Sequence, residues 1–576
     1  MDDGRYGTGK KDILTIGLVI EEVFSEYSTE IVHSIYHAMD GRDSMRLVVI
    51  PGRQDDYNDP RDRKQQYKIV YNSIYKIAEN CSFDGLIIAM PNLKGHEYKY
   101  YRDIPKVFIA SDREDEITVN YDDEIGLRQA MDYIIKEKKA TEICMLGGRD
   151  DNADACKRKD IFIKCLRERM LDYTDYQYER TDMTRYCQNE AGRLLDRNPD
   201  ADAIFCVNDQ VAIGLYAEMK KRNLIPGKDI LVFGYDNSDT ATTLIPPLAS
   251  IGADSASLGQ SALEQLLKKI DGRKPISMKL PTYLFARESL DYEMNRYTAK
   301  EISVVDNDLI SRLFNDCFYR YRNEIKDSRS VDLKILYFDF MSKLLANSKA
   351  KSMNDKEYDE LCRRIDMFFD NNCMRYTDTS RFINCTDHLQ KALNENSRQC
   401  SKNDRRNELF TRIRNKALLS NQARATADAM FREETSHKLQ DYLLETVPYR
   451  AIDVDNMDDV YVNLHMLGLH NAALYMYEKP VIYKDRDDFR FPDNILLKCV
   501  VISDETKIIP PRDQICPIED IHMRKEITWA DTGMIVFPVA LGVHVFGILV
   551  CELTRGILSK GEYIANQLGR VIALRI

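Results

Sequence analysis

Three short apolar runs in this chain end on polar side chains able to exchange hydrogen bonds with a ligand. Ile204-Phe205-Cys206-Val207 stops at Asn208-Asp209, Ile143-Cys144-Met145-Leu146 stops at Gly147-Gly148-Arg149, and Ile230-Leu231-Val232-Phe233 stops at Gly234-Tyr235-Asp236-Asn237. A carboxylate accepts from two adjacent hydroxyls, an arginine donates through a planar fork, and an asparagine does both. Taken alone, Gly-Tyr-Asp-Asn reads as a turn, because Asp and Asn bond nearby backbone and Gly widens the steric range. Helical patterns such as Val211–Met219 lie between the runs, however. Strands buried on both faces and alternating with helices make a parallel sheet, whose ligands bind beyond the carboxyl ends of its strands. Three successive strand ends therefore aim polar groups at one rim.

Composition limits what surrounds that rim. A chain of 576 residues exceeds one core, and about three domains is the expectation from length. With 44% hydrophobic and 30% charged residues it is ordered and globular. The longest apolar stretch, near Gly533–Leu553, is broken by Pro538, Gly542, His544 and Gly547, which excludes a membrane-spanning helix there. Met1-Asp2-Asp3-Gly4-Arg5 lacks the apolar core of a secretion signal, so a cytoplasmic protein is expected. Fourteen cysteines are scattered without a C-x-x-C pair, which fits reduced, mostly buried thiols and neither disulfides nor zinc. A net charge of −11 argues against a broad nucleic-acid surface. No membrane partner and no direct nucleic-acid binding are expected.

The pattern divides the chain into a flexible terminus (1–12), an alternating strand and helix region (13–298), a helical region (299–445) and a mixed α+β region (446–576). In the helical region apolar residues recur at helical spacing, as in Leu309, Leu313, Cys317 and Tyr321, or Leu409, Ile413 and Ala417. A monomer is expected to expose the second stripe, so a homodimer through the sensor and these helices is expected. After 446 a helix (460–469), strands at 472–477 and 495–503, a hairpin (534–541 and 543–553) and a last helix from Lys560 indicate an antiparallel sheet.

The first region resembles the effector-binding core of the lac repressor/galactose repressor family, a periplasmic-binding-protein-like α/β fold of two lobes around a cleft. The resemblance rests on "ADAIFCVNDQVAIGLYAEMKKRNLIPGKDILVFGYDN", "IPPLASIGADSASLGQSALEQLL" and "GGRDDNADACKRKDIF". It implies that Asp236, Asn208 and Arg158 contact the hydroxyls of a bound sugar or nucleoside, at a site that binds and does not react. Tyr235 belongs to the same turn, Asp112 stands near where the family places an acid, and Phe24 and Tyr27 are candidates to stack on a sugar face. No catalytic residue, metal or cofactor is implied. The chain departs from the family at Ile161, where Gly is usual, and in the acidic loop Glu21-Glu22-Val23-Phe24-Ser25-Glu26-Tyr27, which lacks Asn-Pro-Phe.

A helix-turn-helix, with which family repressors begin, is not found ahead of the first strand. The closing "GMIVFPVALGVHVFGILVCEL" and "KGEYIANQLGRVIALRI", with "DDVYVNLHMLGLHNAALYMYEKP" before them, resemble a GAF-type domain. Sensor, helices and GAF-like domain in this order resemble the sensory part of bacterial GGDEF diguanylate cyclases, and no Gly-Gly-Asp-Glu-Phe occurs here. The expectation is a ligand-sensing regulator, either complete or cut before an output domain, and not itself an enzyme. The alternative is a transcription regulator of the repressor family acting through a partner. Other signals are bland. Gly4–Lys11 nearly spells a phosphate loop but precedes a strand and has Lys11 in place of the hydroxyl. His465 and His470 are five apart, off one helix face. The arginines of 405–424 interleave with acids and have no aromatic ladder beside them.

Overall fold

In a computed structural model of the chain, the structure describes residues 13–576 except 24, 40–43, 54–69, 91–100, 102, 112, 254, 293–296, 304–305, 319–320, 322–331, 348–352, 378, 397–403, 447–456, 484–488, 525 and 528–532. The elements run β1 (Leu14–Ile20), α1 (Glu26–Met39), β2 (Met45–Pro51), β3 (Gly85–Ala89), β4 (Lys106–Ile109), β5 (Thr118–Asp122), α2 (Asp123–Asp132), β6 (Ile143–Gly147), α3 (Ala153–Glu168) and β7 (Tyr178–Arg180). Next come α4 (Gln188–Arg197), β8 (Ala203–Cys206), α5 (Asp209–Lys221), β9 (Leu231–Tyr235), α6 (Asp239–Thr243), β10 (Ala249–Gly252), α7 (Ser255–Ile270), β11 (Met278–Pro281) and β12 (Tyr283–Phe285). A helical stretch follows: α8 (Ala299–Ser303), α9 (Asn307–Cys317), α10 (Leu333–Asn347), α11 (Asp355–Asp370), α12 (Thr379–Asn396) and α13 (Asp404–Thr446). The last part is mixed: α14 (Asp458–Val462), β13 (Asn471–Ile482), β14 (Asn494–Ile502), β15 (Glu505–Ile508), β16 (Ile515–Pro517), β17 (Gly533–Leu541), β18 (His544–Glu552) and α15 (Arg555–Ala573).

These elements pack as two compact units that cut across sequence order. One gathers Met1–Tyr121, Asp254–Leu280 and Arg432–Ile576, the other Asp122–Ala253 and Pro281–Phe431. The first unit is built on a twelve-stranded sheet in the order β11-β5-β4-β3-β1-β2-β17-β18-β13-β14-β15, with β16 pairing to β14. Strands β1 to β5 are parallel and β13 to β18 antiparallel. The two halves meet where β2 and β17 pair in parallel, Leu47 with Gly533, Val48 with Met534 and Val49 with Ile535. Every residue of β2 is buried. Alternate side chains then feed two continuous cores, one on each face of the sheet. Leu18, Leu47, Ile535 and Leu549 lie in one, and Val19, Val48, Met534 and Ile548 in the other.

The second unit holds a six-stranded sheet, β12-β10-β9-β8-β6-β7, parallel except for β12, and a helical core rich in aromatic rings. Phe314, Phe318, Tyr337, Phe340 and Phe368 interlock there at ring separations of 5.1–5.7 Å. Leu309, Leu313 and Cys317 point into this core, as their spacing predicts. So do Leu409, Ile413 and Ala417, which corrects the expectation that a monomer exposes them. Helical spacing reveals an apolar stripe but not what covers it, and here the cover comes from the same unit. A homodimer therefore has to use other surfaces.

Around the junction of β2 with β17 the packing includes a buried histidine. Arg46 Nη1 donates to the His522 carbonyl at 2.6 Å, Cys81 Sγ approaches the Ile518 carbonyl at 3.2 Å, and the Phe83 ring stacks on the His522 imidazole at 5.7 Å. Burial, and then the Arg46 charge, push His522 down to about 4. The unfolded chain takes up this proton near pH 6.5, so the stability that His522 contributes is present above that value and is lost as pH falls toward 4. Hydrogen exchange of the β2 and β17 amides, corrected for intrinsic pH dependence, should show this unit loosening over that interval. His522→Phe, which keeps a ring against Phe83 and removes the proton, should flatten the response.

Candidate functional site

The polar rim anticipated at the strand ends is assembled in the second unit. β9 runs Leu-Val-Phe-Gly-Tyr and is buried from Val232 to Tyr235. Beyond it the chain enters the left-handed region at two consecutive non-glycine residues, Asp236 (φ 99°) and Asn237 (φ 48°). Such a conformation costs of order 1–3 kcal/mol per residue and persists only when neighbours hold it. Here they do. Asp209, 1% exposed, accepts from the Ser238 N–H at 2.8 Å and from Ser250 Oγ at 2.7 Å, while the Asn237 N–H donates to Ser250 Oγ at 2.9 Å. Arg287 donates to Asn237 Oδ1 at 2.5 Å and to the Leu248 carbonyl at 2.6 Å. A Cβ on Gly234 would lie 2.2 Å from Asp209 Oδ1. The glycine is therefore needed for the carboxylate to sit beneath the turn.

Arg158, on α3, sits over Tyr235 with its guanidinium carbon 3.5 Å from the ring centroid. Its Nη1 donates to the Val207 carbonyl at 2.9 Å and stands 3.7 Å from Asp236 Oδ1. Its Nε makes no hydrogen bond and faces Asp123 at 3.6 Å. Asp123, at the start of α2, also receives Tyr235 Oη at 2.5 Å and Lys157 Nζ at 2.7 Å. Burial pushes Asp123 up, but Arg158, Lys157 and Tyr235 together hold its carboxyl below the usual range. Asp236 is 34% exposed at its side chain. Although a third of the side chain is open to solvent, desolvation by the groups packed around the rest, opposed by Arg158 and reinforced by Asp154 and Asp123, pushes it up to about 6. Asp209 goes to about 7, through burial first and the neighbouring Asp236 second. The rim thus offers an exposed acceptor, a stacked guanidinium already countered by Asp123, and little net charge, a chemistry suited to a neutral polyhydroxylated molecule.

The structure brings Asp236, Arg158 and Tyr235 together and engages Asn208 as a helix cap. Asn208 caps α5, accepting from the Val211 N–H at 2.9 Å and donating to the Met183 carbonyl at 3.1 Å. Tyr27, 38% exposed on α1, belongs to the other unit. Phe24 and Asp112 lie outside the described residues. In the acidic loop Glu22 accepts from the Ser25 N–H and Ser28 Oγ at 2.9 and 2.7 Å, holding the entry to α1. Sequence reasoning passed over Asp123 and named Asp209 only as part of a polar strand end, without a role. The second carried a signal, since a buried acid beside Asn208 requires a small residue opposite, and Gly234 supplies it. Among the described residues no three His, Cys, Asp or Glu side chains converge as metal ligands would, and no helix is long and apolar enough to cross a membrane.

Residues 134–290, which contain most of this rim, match the periplasmic binding protein-like domain. The HTH-type transcriptional regulator CelR of Thermobifida fusca is 28% identical over 174 residues, 30% of this chain and 51% of that protein. The HTH-type transcriptional repressor PurR of Vibrio atlanticus is 28% identical over 177 residues, 30% and 52% of the two chains. The ribose operon repressor of Haemophilus influenzae is 36% identical over 77 residues, 13% and 23% of the two. The chain spans about half the length of the first two of these relatives. A solved transcriptional regulator CelR-cellobiose complex superposes with a TM-score of 0.41 at 22% identity, covering 49% of this chain and 86% of that one.

Asp209 makes this unit respond to pH in the opposite sense to His522. Its carboxyl binds a proton more tightly folded than unfolded, so the stability it contributes is full below about pH 4 and is lost as pH rises through about 7. Exchange of the β9 and β10 amides should accelerate over that rise beyond the intrinsic rate. Asp209→Asn, which can still pair with Ser238 and Ser250, should remove most of the change.

Proposed function

We propose that the chain is a cytoplasmic ligand-sensing regulatory protein whose second unit binds a sugar or nucleoside, with Asp236 as the central acceptor and Arg158 as the donor beside it. The observation that carries this reading is the Asp236-Asn237 turn: a strained, rim-exposed carboxylate held from beneath by Asp209 and from behind by Arg287, and facing a guanidinium stacked on Tyr235. Structure maintained at such cost beyond a strand's carboxyl end is the pattern of a binding site. Tyr235 frames the site, and the remaining hydrogen-bonding capacity of Asn208 is available to the ligand. The relatives named as transcriptional regulators and as a ribose operon repressor support a regulatory role and a sugar-like ligand.

In this reading ligand state passes through the helices of 299–445 to the C-terminal α+β region. The antiparallel order β17-β18-β13-β14-β15 supports the GAF-like resemblance of that region, and a GGDEF-type output is the finer form of the proposal. The second reading, a transcription regulator acting through a partner, is favoured by the names of the relatives. The two part on one measurement: a regulator of transcription comes down with a DNA-binding partner, whereas a cyclase sensor alters c-di-GMP levels when Asp236 is changed.

A ligand whose hydroxyls donate to Asp236 needs the carboxylate ionised. Affinity in calorimetric titrations against sugars and nucleosides should therefore fall as pH drops below about 6 and level off above it. Asp236→Ala should weaken binding roughly ten- to a hundredfold and abolish the pH dependence. Tight binding indifferent to this substitution would remove Asp236 from the site.

A further inference from the structure

The last helix, α15, is fastened at two places to elements that report on different parts of the molecule. In its first half, Glu562 Oε1 accepts from Arg53 Nε at 2.9 Å and also from Arg53 Nη2, and about four-fifths of both side chains is buried. Arg53 stands two residues beyond β2, at the carboxyl-end rim of the parallel strands. Its backbone N–H donates to Asn72 at 2.7 Å, and that of Gly52 to the Ile20 carbonyl at 2.9 Å. Just past the other end of α15, Arg575, 4% exposed, donates from Nε to the carbonyl of Thr446 and places Nη2 3.6 Å from Asp459.

Thr446 is the final residue of α13. A guanidinium on the last carbonyl of a helix satisfies an acceptor with no intrahelical donor and complements the negative end of the dipole. In a buried setting no water replaces that contact when it is lost. The far end of α13 is rooted in the helical core through Leu409, Phe410, Ile413 and Ala417, and the chain passes from one unit to the other within this helix. Between Leu418 and Asp441 none of its described side chains is buried. α15 itself lies close on β17, because a Cβ on Gly569 would meet the Ala540 carbonyl at 2.4 Å and one on Gly561 the Phe537 ring at 2.4 Å.

We propose that α15 is the helix on which two internal signals converge, the state of the β1–β2 rim through Arg53–Glu562 and the state of the helical core through α13 and Arg575. The proposal rests on the reading of the chain as a ligand-responsive regulator, but its test needs no ligand, so a failed ligand search leaves it standing. Hydrogen exchange is followed by mass spectrometry on the full chain carrying Arg53→Ala, Arg575→Ala or the milder Glu562→Gln. If α15 carries both signals, changes at residue 53 or 562 speed exchange at 570–576 and in the last turn of α13 by roughly tenfold. Arg575→Ala does the same to the amides of Ile20 and Gly52. Ile413→Val, which loosens the root of α13, speeds exchange at 570–576 in the parent chain and not in Arg575→Ala. Effects confined to the turn that carries each substitution, or α15 exchange indifferent to Ile413→Val, would overturn the proposal.

Discussion

The parallel pairing of β2 with β17 is the interaction on which the first unit depends. Three residue pairs, Leu47–Val49 against Gly533–Ile535, turn two sheets into one. Without it β2 is an edge strand in a unit whose cores run across the join on both faces. Apolar burial contributes about 25 cal/mol per Å², and a side chain such as Ile535 or Met534 gains it from residues on both sides of the seam. The C-terminal region is therefore part of the fold of the first lobe, and the Arg46–His522 contact and the seat of α15 on β17 both follow from the position that the ladder gives them.

In the second unit the governing fact is a stack of carboxylates of unequal environment. Asp123 receives Lys157 and Tyr235, faces the Arg158 charge and stays ionised, whereas Asp209 has two neutral donors and keeps its proton to about 7. Asp236, between a guanidinium and other acids, falls in the middle at about 6. Three copies of one functional group thus take three roles. One anchors Arg158, one supports the turn, and one faces solvent.

Much of this was legible in the sequence because the signals are local. An apolar run ending in Gly-Tyr-Asp-Asn gave both the strand and the turn, and the hairpin at 533–552 was readable from two apolar runs around Gly542, which takes a φ of 62°. Long-range pairing was not legible. β2, apolar but for Arg46, and β17 are both buried on both faces, so neither pattern names its neighbour, and a boundary near 298 looks natural in sequence although the chain on either side of it divides differently in space. The helix expected over 460–469 stops at Val462 and is followed by a tighter turn, Leu464–Leu467, in which the His465 N–H donates to Thr506 Oγ1 at 3.1 Å and which Gly468 (φ 69°) closes. Asn208 shows the same limit at the site: its type fits a ligand contact and a helix cap equally, and the cap bond from Val211 N–H becomes visible only in the fold.

The wide separation of β2 and β17 in the chain also sets an order of events during synthesis. Pro51 and Gly533 are about 480 residues apart, and at ribosomal rates of about 5–20 residues per second β2 waits roughly 25–100 s for its neighbour. Over that interval β2 is an open edge, apolar but for Arg46, the kind of surface that recruits other strands. The second unit's sheet, complete once residue 285 has emerged, is able to close earlier. The middle of the chain can therefore complete its sheet before the two halves of the first unit's sheet meet.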